Sequence, residues 1–182
     1  MRRLVWPAVL VALTLVGGSA RAAVVLALDL RALTRSATVI ADVEVVEQQS
    51  RRLPSGQIIT EHVALVREGL VGVGDGEELR FFTEGGVVDG VGARVPGEPT
   101  PRVGDRVVAF LQEAGAGLRF VGMSQGCLPV DERGAEVLVL PPAASAVLVR
   151  RTPAGLVRAA PALSAPRSLA PFLQEVRALV AR

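Results

Sequence analysis

The chain has 182 residues, half of them hydrophobic, and its 20 basic and 18 acidic residues leave a formal net charge of +2. This length suits one domain with a core of its own, and the near-neutral balance excludes a strongly basic surface of the kind that binds nucleic acid. A single cysteine, Cys127, cannot form an intramolecular disulfide, so the folded state depends on its core.

The first 22 residues have the order of a cleavable secretory signal peptide. A basic start at Arg2 and Arg3 is followed by an uncharged apolar run and then by Ala20-Arg21-Ala22, a small-residue cleavage pattern. The apolar run is shorter than the about 20 residues that a transmembrane helix needs. We therefore expect cleavage after Ala22 and export to the periplasm or the extracellular space, with no stable membrane insertion afterwards. The alternative is an uncleaved N-terminal anchor.

Taken in chain order, the remaining sequence carries helical and strand patterns. Leucines at spacings of four and three predict a short amphipathic helix over 24–36. Ser168 is predicted to cap a final helix over 169–181, whose apolar stripe includes Phe172 and Val176. Period-two alternation bounded by Gly and Pro predicts the following strands: 38–46, 57–68, 78–83, 106–113, 118–123, 127–130, 136–140, 147–151 and 156–159.

Two stretches are rich in turn-forming residues. We interpret 84–105, with its many glycines and prolines, as an irregular loop, and such long loops in compact domains are usually functional or mobile. Its candidate ligand-binding residues are Glu84, Asp89 and Arg94. Ala and Pro dominate 141–167, which is predicted to be a linker or hairpin and the least ordered part of the exported chain, because it offers little area to bury.

Catalytic and metal-binding side chains are scarce. His62 is the only imidazole and Cys127 the only thiol, so the chain contains the two residue types that a Cys-His enzyme needs. No nucleophile motif surrounds the cysteine. One His and one Cys cannot close a zinc site. Acidic residues at 75–78, Glu84 and Asp89 lack the spacing of a calcium loop, which favours solvated loop charges. We expect no metal and no cofactor.

Several stretches resemble a known exported domain. Gly-Gly-Val-Val-Asp-Gly at 85–90 and Gly-Met-Ser-Gln-Gly at 122–126 resemble motifs of a group of uncharacterised exported bacterial proteins. The whole resemblance covers about residues 36 to 130. The following stretches resemble the N-terminal domain of tissue inhibitors of metalloproteinases and the netrin-like module: 37–43, 58–68, 103–111 and 120–123.

The strand order and the resemblance together imply a mainly β fold, a five-stranded antiparallel OB-like Greek-key barrel with a short N-terminal helix and a C-terminal helix. The expected division is a signal peptide (1–22), a barrel domain with its preceding helix (23–140), a linker or hairpin (141–167) and a helix (168–182). Candidates for the barrel interior are Val39, Val43, Val63, Leu65, Leu79, Phe81, Phe110 and Phe120.

The sequence favours an exported, non-enzymatic module that binds an unknown protein partner through the 84–105 segment. The inhibitors that the chain resembles use an N-terminal cysteine to chelate the zinc of a protease. Here the predicted start is Ala23, and no cysteine is near it, so that mechanism cannot be transferred. The alternatives are an accessory or inhibitor of a secreted protease and, less favoured, a thiol enzyme that uses Cys127 and His62.

Overall fold

The computed structural model describes residues 23–115, 117–143 and 146–181, so the predicted signal peptide, including Ala20 and Ala22, lies outside the described residues. Within them the chain is mainly β. The helices are α1 (Leu30–Ser36) and α2 (Leu169–Val180), and a short 3-10 turn spans Met123–Gly126. The strands are β1 (Ala23–Leu26), β2 (Val39–Arg52), β3 (Ile58–Val71), β4 (Glu78–Val88), β5 (Val91–Arg94), β6 (Arg106–Ala114), β7 (Gly117–Phe120), β8 (Cys127–Asp131), β9 (Leu138–Val139), β10 (Ala146–Thr152), β11 (Gly155–Arg158) and β12 (Arg167–Ser168).

Five strands close into a hydrogen-bonded ring within a nine-stranded sheet. The sheet runs β12-β9-β8-β6-β2-β3-β4-β5, and β7 pairs with both β4 and β6, which closes the ring β2-β3-β4-β7-β6. The pairings of the ring are antiparallel except the contact between β4 and β7, where Phe81 pairs with Leu118 in parallel. A separate sheet of three strands has the order β1-β10-β11.

Strand β6 and residues 39–45 of β2 are buried on both faces, and they separate two hydrophobic cores. The inner core fills the ring, and the outer core lies between this wall and the two helices. The alternation of β6 shows the division, because Ala109 and Leu111 face inward while Val108 and Phe110 face outward. The inner core consists of Val39, Ala41, Val43, Val45, Ala64, Val66, Leu79, Phe81, Val107, Ala109, Leu111, Phe120 and Cys127.

The predicted interior is correct for five residues and wrong for three. Val63 is buried but outside the inner cluster, Leu65 is 37% exposed, and Phe110 belongs to the outer core. The inward side of β3 is instead the side of Ala64 and Val66. Apolar residues occupy both faces of β3, so the sequence pattern did not fix which face was inside, and a one-residue shift exchanges the two.

The N-terminal segment differs from the predicted single helix. Residues 23–26 form β1, which pairs in parallel with β10, and only α1 is helical. The side chain of Asp29 caps α1 by accepting a hydrogen bond from the backbone N–H of Ala32 at 2.7 Å. Gln125, which is buried, holds the connection between β1 and α1. Its Oε1 accepts from the N–H of Leu28 at 2.8 Å, and its Nε2 donates to the carbonyl of Leu26 at 3.0 Å.

The C-terminal helix docks on the outside of the ring, as its apolar stripe predicts. Phe172, Leu173 and Val176 are buried in the outer core. Ser168 precedes α2 but does not cap it, because its hydroxyl bonds to the carboxylate of Glu136. The Ala- and Pro-rich segment before α2 contains the hairpin β10–β11 and contributes a buried leucine, residue 163, to the outer core.

The segment 84–105 is not one irregular loop. Strand β4 continues to Val88, turns through Asp89 and Gly90, and returns as β5. Both turn residues have positive φ, 52° at Asp89 and 75° at Gly90, which is the type I′ geometry of a two-residue hairpin. An Asp-Gly pair between valines is a strong signal for this turn, so the hairpin was present in the sequence pattern.

A buried ion pair fixes the outer side of β2. Asp42, a charged residue of this strand, is 1% exposed. Arg106 binds both of its carboxylate oxygens, with Nε 3.0 Å from Oδ1 and Nη2 2.6 Å from Oδ2. This bonding raises the pKa of the Arg106 guanidinium above its usual range. The pair joins β2 to β6 across the wall that both cores share.

Replacing Asp42 by Ala should lower the free energy of unfolding by about 3 kcal/mol, because it leaves the half-buried guanidinium of Arg106 with only the exposed carboxylate of Glu132. Glu61→Ala is the matched control, since it breaks an arginine–carboxylate pair whose side chains are both exposed, and its effect should be far smaller. Denaturant unfolding measures both. Equal effects of the two substitutions would contradict the role given to the buried pair.

Candidate functional site

The candidate site is a cleft of about 660 Å³ at one end of the ring. It exists because β2 and β3 each have 14 residues, whereas β6 pairs with β2 only over Val39–Glu44. Beyond that point, the arm formed by β2 and β3 extends past the ring. A β-bulge between Val45 and Glu47 shifts the alternation by one residue, so that Gln48 and Ser50 line the cleft.

The hairpin β4–β5 folds over this arm and is joined to it by hydroxyl groups. The N–H of Val87 donates to Ser50 Oγ at 3.4 Å, the two hydroxyls of Ser50 and Thr60 are 2.9 Å apart, and Thr60 Oγ1 donates to the carbonyl of Gly85 at 2.8 Å. Gly86 permits the approach. A Cβ there would lie 2.3 Å from Ser50 Oγ and 2.4 Å from Thr60 Oγ1.

His62 lies in the wall of the cleft and is almost completely buried, at 2% exposure. Its ring stacks on Phe81 with the centroids 5.0 Å apart, and its Nε2 is 3.0 Å from Thr83 Oγ1. Nδ1 has no hydrogen-bond partner among the described residues. Burial lowers the pKa of His62 from its ordinary 6.5 to about 4, so the ring is neutral at physiological pH.

Two carboxylates behind the cleft share one arginine. Glu84 and Glu98 lie 3.3 Å and 3.6 Å from the guanidinium of Arg119 on β7. Glu98 is buried, and its Oε1 accepts from the backbone N–H of Glu84 at 3.1 Å. Burial raises the pKa of Glu98. This arrangement ties the segment after β5 to the edge of β4 and offsets one of the two acidic charges on that side of the cleft.

The predicted site residues separate in the structure. Glu84 and Arg94 both line the cleft, but Glu84 is already paired with Arg119. Asp89 lies in the hairpin turn and is exposed, and it does not line the cleft. Arg102, which the sequence did not single out, lines the cleft together with Arg94. Both side chains are exposed and make no ion pair with the described part of the chain.

The structure gives no support to a Cys127–His62 dyad. His62 bonds to Thr83, whereas Cys127 packs in the inner core and lines a different cavity with Pro99 and Pro129. No hydrogen bond joins the two residues in the described ranges. Burial raises the pKa of the Cys127 thiol to about 12, so the nucleophilic thiolate is not formed at physiological pH.

The acidic residues of the turn after β3 bind backbone groups. Asp75 Oδ1 accepts from the N–H of Gly69 at 2.7 Å, and Glu77 Oε2 accepts from the N–H of Gly74 at 3.1 Å. Across residues 23–115, 117–143 and 146–181, no group of three or more His, Cys, Asp or Glu side chains could hold a metal ion. In the same residues, no helix has both the length and the apolar character to cross a membrane.

Sequence reasoning located the segment of the site but missed most of its lining. The sequence left open whether His62 on β3 faces the core or solvent, and it did not single out Thr60. The bulge in β2, which brings Ser50 into the cleft, has no clear sequence signal. No protein-family model, curated protein or solved structure matches this chain.

Burial of neutral His62 should make stability depend on pH. The pKa of His62 is lower in the folded protein than in the unfolded chain, so the unfolded chain binds more protons between pH 6.5 and about 4. The free energy of unfolding should therefore decrease as the pH is lowered from 6.5 to about 4. The expected loss is about 2–3 kcal/mol. His62→Gln removes the titration but can still bond to Thr83, so its profile should be flatter.

Denaturant unfolding of both proteins at several pH values tests this expectation. The difference between the two profiles isolates His62, because Glu98 and the other carboxylates are common to both. Parallel profiles would show that His62 is not kept neutral by burial.

Proposed function

We propose that the protein is an exported, non-enzymatic binding module that captures an extended polypeptide segment along β5 and the adjoining cleft. The single observation that carries this proposal is the open edge of β5 beside that cleft. Strand β5 ends the nine-stranded sheet and pairs only with β4 in the described part of the chain. Export rests on the signal-peptide pattern of the sequence.

The free backbone groups of β5 can be identified from its register. Val88 pairs with Val91 across the two-residue turn, and this flanking pair exchanges hydrogen bonds. Hydrogen-bonded and non-bonded pairs alternate in an antiparallel ladder, so Gly92 and Arg94 direct their N–H and C=O groups to the open edge. An extended peptide can add there as a further strand, since main-chain bonds supply affinity and neighbouring pockets supply specificity.

The cleft offers side-chain contacts beside this edge. Val87 lines it and is 65% exposed, which provides an apolar surface for a peptide side chain. Gln48, Arg94 and Arg102 are exposed polar groups of the same cleft. The cavity beside the edge strand β11 of the small sheet is smaller, about 240 Å³, and Arg158 is the one charged residue among the described residues that line it, which is why β5 is the favoured binding edge.

We also propose that the five-stranded ring is an OB-like Greek-key barrel. Its order β2-β3-β4-β7-β6, with one parallel contact between β4 and β7, supports this interpretation. In such barrels, ligands bind on exposed strand faces and on the loops beside them, and the β4–β5 hairpin occupies that kind of position. A role beside a secreted protease stays a prediction from the sequence resemblance.

Gly92→Pro tests the edge directly, because it removes the outward N–H while leaving the β4–β5 ladder bonds in place. Gly92→Ala is the matched control, since its added Cβ meets only Val87 Cγ2 at 3.9 Å and the N–H is retained. Peptides of about ten residues, selected from a displayed random library on the purified protein, should lose at least about tenfold in affinity for Gly92→Pro and keep it for Gly92→Ala.

Thermal unfolding of the two variants checks that each stays folded. Selected peptides that bind Gly92→Pro as well as they bind the parent protein would contradict capture at β5. A library that yields no binding peptide would contradict the proposed function as a whole.

A further inference from the structure

We propose that the peptide segment bound by the cleft carries a carboxylate, and that Arg94 and Arg102 bind it. This inference rests on the proposed function and specifies the chemistry of its ligand. It starts from the charge of the cleft. Both guanidiniums line it without an ion pair in the described residues, whereas Arg119 beside it is paired with Glu84 and Glu98.

Among the described residues that line the cleft, one carboxylate stands against these two arginines. Glu84 is its lining carboxylate, and it lies 3.3 Å from Arg119, which Glu98 also contacts. The charge that remains available to a ligand in the cleft is therefore positive. Two free guanidiniums favour an anionic group and disfavour a cationic one, and planar carboxylates match the paired N–H donors of arginine.

The neutral groups of the cleft also suit a carboxylate on an extended chain. The outward N–H groups of Gly92 and Arg94 bind the main chain of the peptide, and the exposed amide of Gln48 can donate to its carboxylate. In the wall, Nδ1 of His62 is a polar atom that is almost fully buried and has no partner in the described residues. In the tautomer in which Nε2 accepts from Thr83, Nδ1 carries the proton and can donate to a bound oxygen at this wall.

A carboxylate can come from an Asp or Glu side chain or from the terminus of a peptide, and the two sources share the same chemistry. Random peptides displayed with an internal attachment and random peptides displayed with a free C-terminus separate them. Selection on the purified protein should enrich Asp and Glu in the first library if side chains supply the carboxylate. If the terminus supplies it, binding peptides should come from the second library and lose affinity when the C-terminus is amidated. Binding peptides that show neither dependence would overturn the inference.

Single arginine substitutions then locate the contact. Arg94→Gln and Arg102→Gln should each weaken the selected peptides about tenfold, and the loss should shrink as salt screens the charges. Arg150→Gln removes the same charge from an exposed position on β10 that does not line the cleft, and it should leave affinity within about twofold. Equal effects of the three substitutions would show that affinity depends only on net charge, with no specific contact at Arg94 or Arg102. That result would overturn the inference.

The outcomes separate this inference from the proposed function. If peptides are selected, depend on the N–H of Gly92 and show no preference for carboxylates, strand capture stands and the carboxylate inference fails. If no peptides are selected from either library, both fail. Replacing each enriched Asp or Glu by Asn or Gln in a synthetic peptide gives the reciprocal measurement, and retained affinity would overturn the inference.

Discussion

Burial of β2 and β6 on both faces is the constraint on which the rest of the structure depends. Their inner faces close the ring, and their outer faces need α1, α2 and β9 to cover them. A strand pair buried on two sides leaves no place for a free charge, so Asp42 is bound by Arg106 through both carboxylate oxygens. The helices therefore complete a second core on the outside of the ring.

The cleft arises where this double burial ends. Past Glu44, β2 loses β6 as a neighbour, and its continuation with β3 forms an arm whose inner face is polar. The hairpin β4–β5 folds onto that face because glycine at 86 leaves room for the hydroxyls of Ser50 and Thr60. The same sheet closes into the ring at one end and leaves β5 as an open edge strand at the other. This open edge is the physical basis for the proposed capture of a strand.

Much of the fold could be predicted from the sequence, because period-two alternation and turn residues are local signals. They placed the long strands and the docking of α2 correctly. The inward face of β3 was predicted wrongly because its two faces are similarly apolar, and β1 was taken for helix because its pairing with β10 is distant in sequence. In the candidate site, Arg94 was predicted, whereas Ser50 reaches the cleft only through a bulge in β2.

Amide hydrogen exchange of the protein with and without a selected peptide tests the central claim most directly. The N–H groups of Gly92 and Arg94 face the open edge and have no strand partner among the described residues. We expect these two amides to exchange much more slowly when the peptide is bound, while those of β1 and β11 are unchanged. Slower exchange along β1 or β11, with Gly92 and Arg94 unaffected, would contradict it.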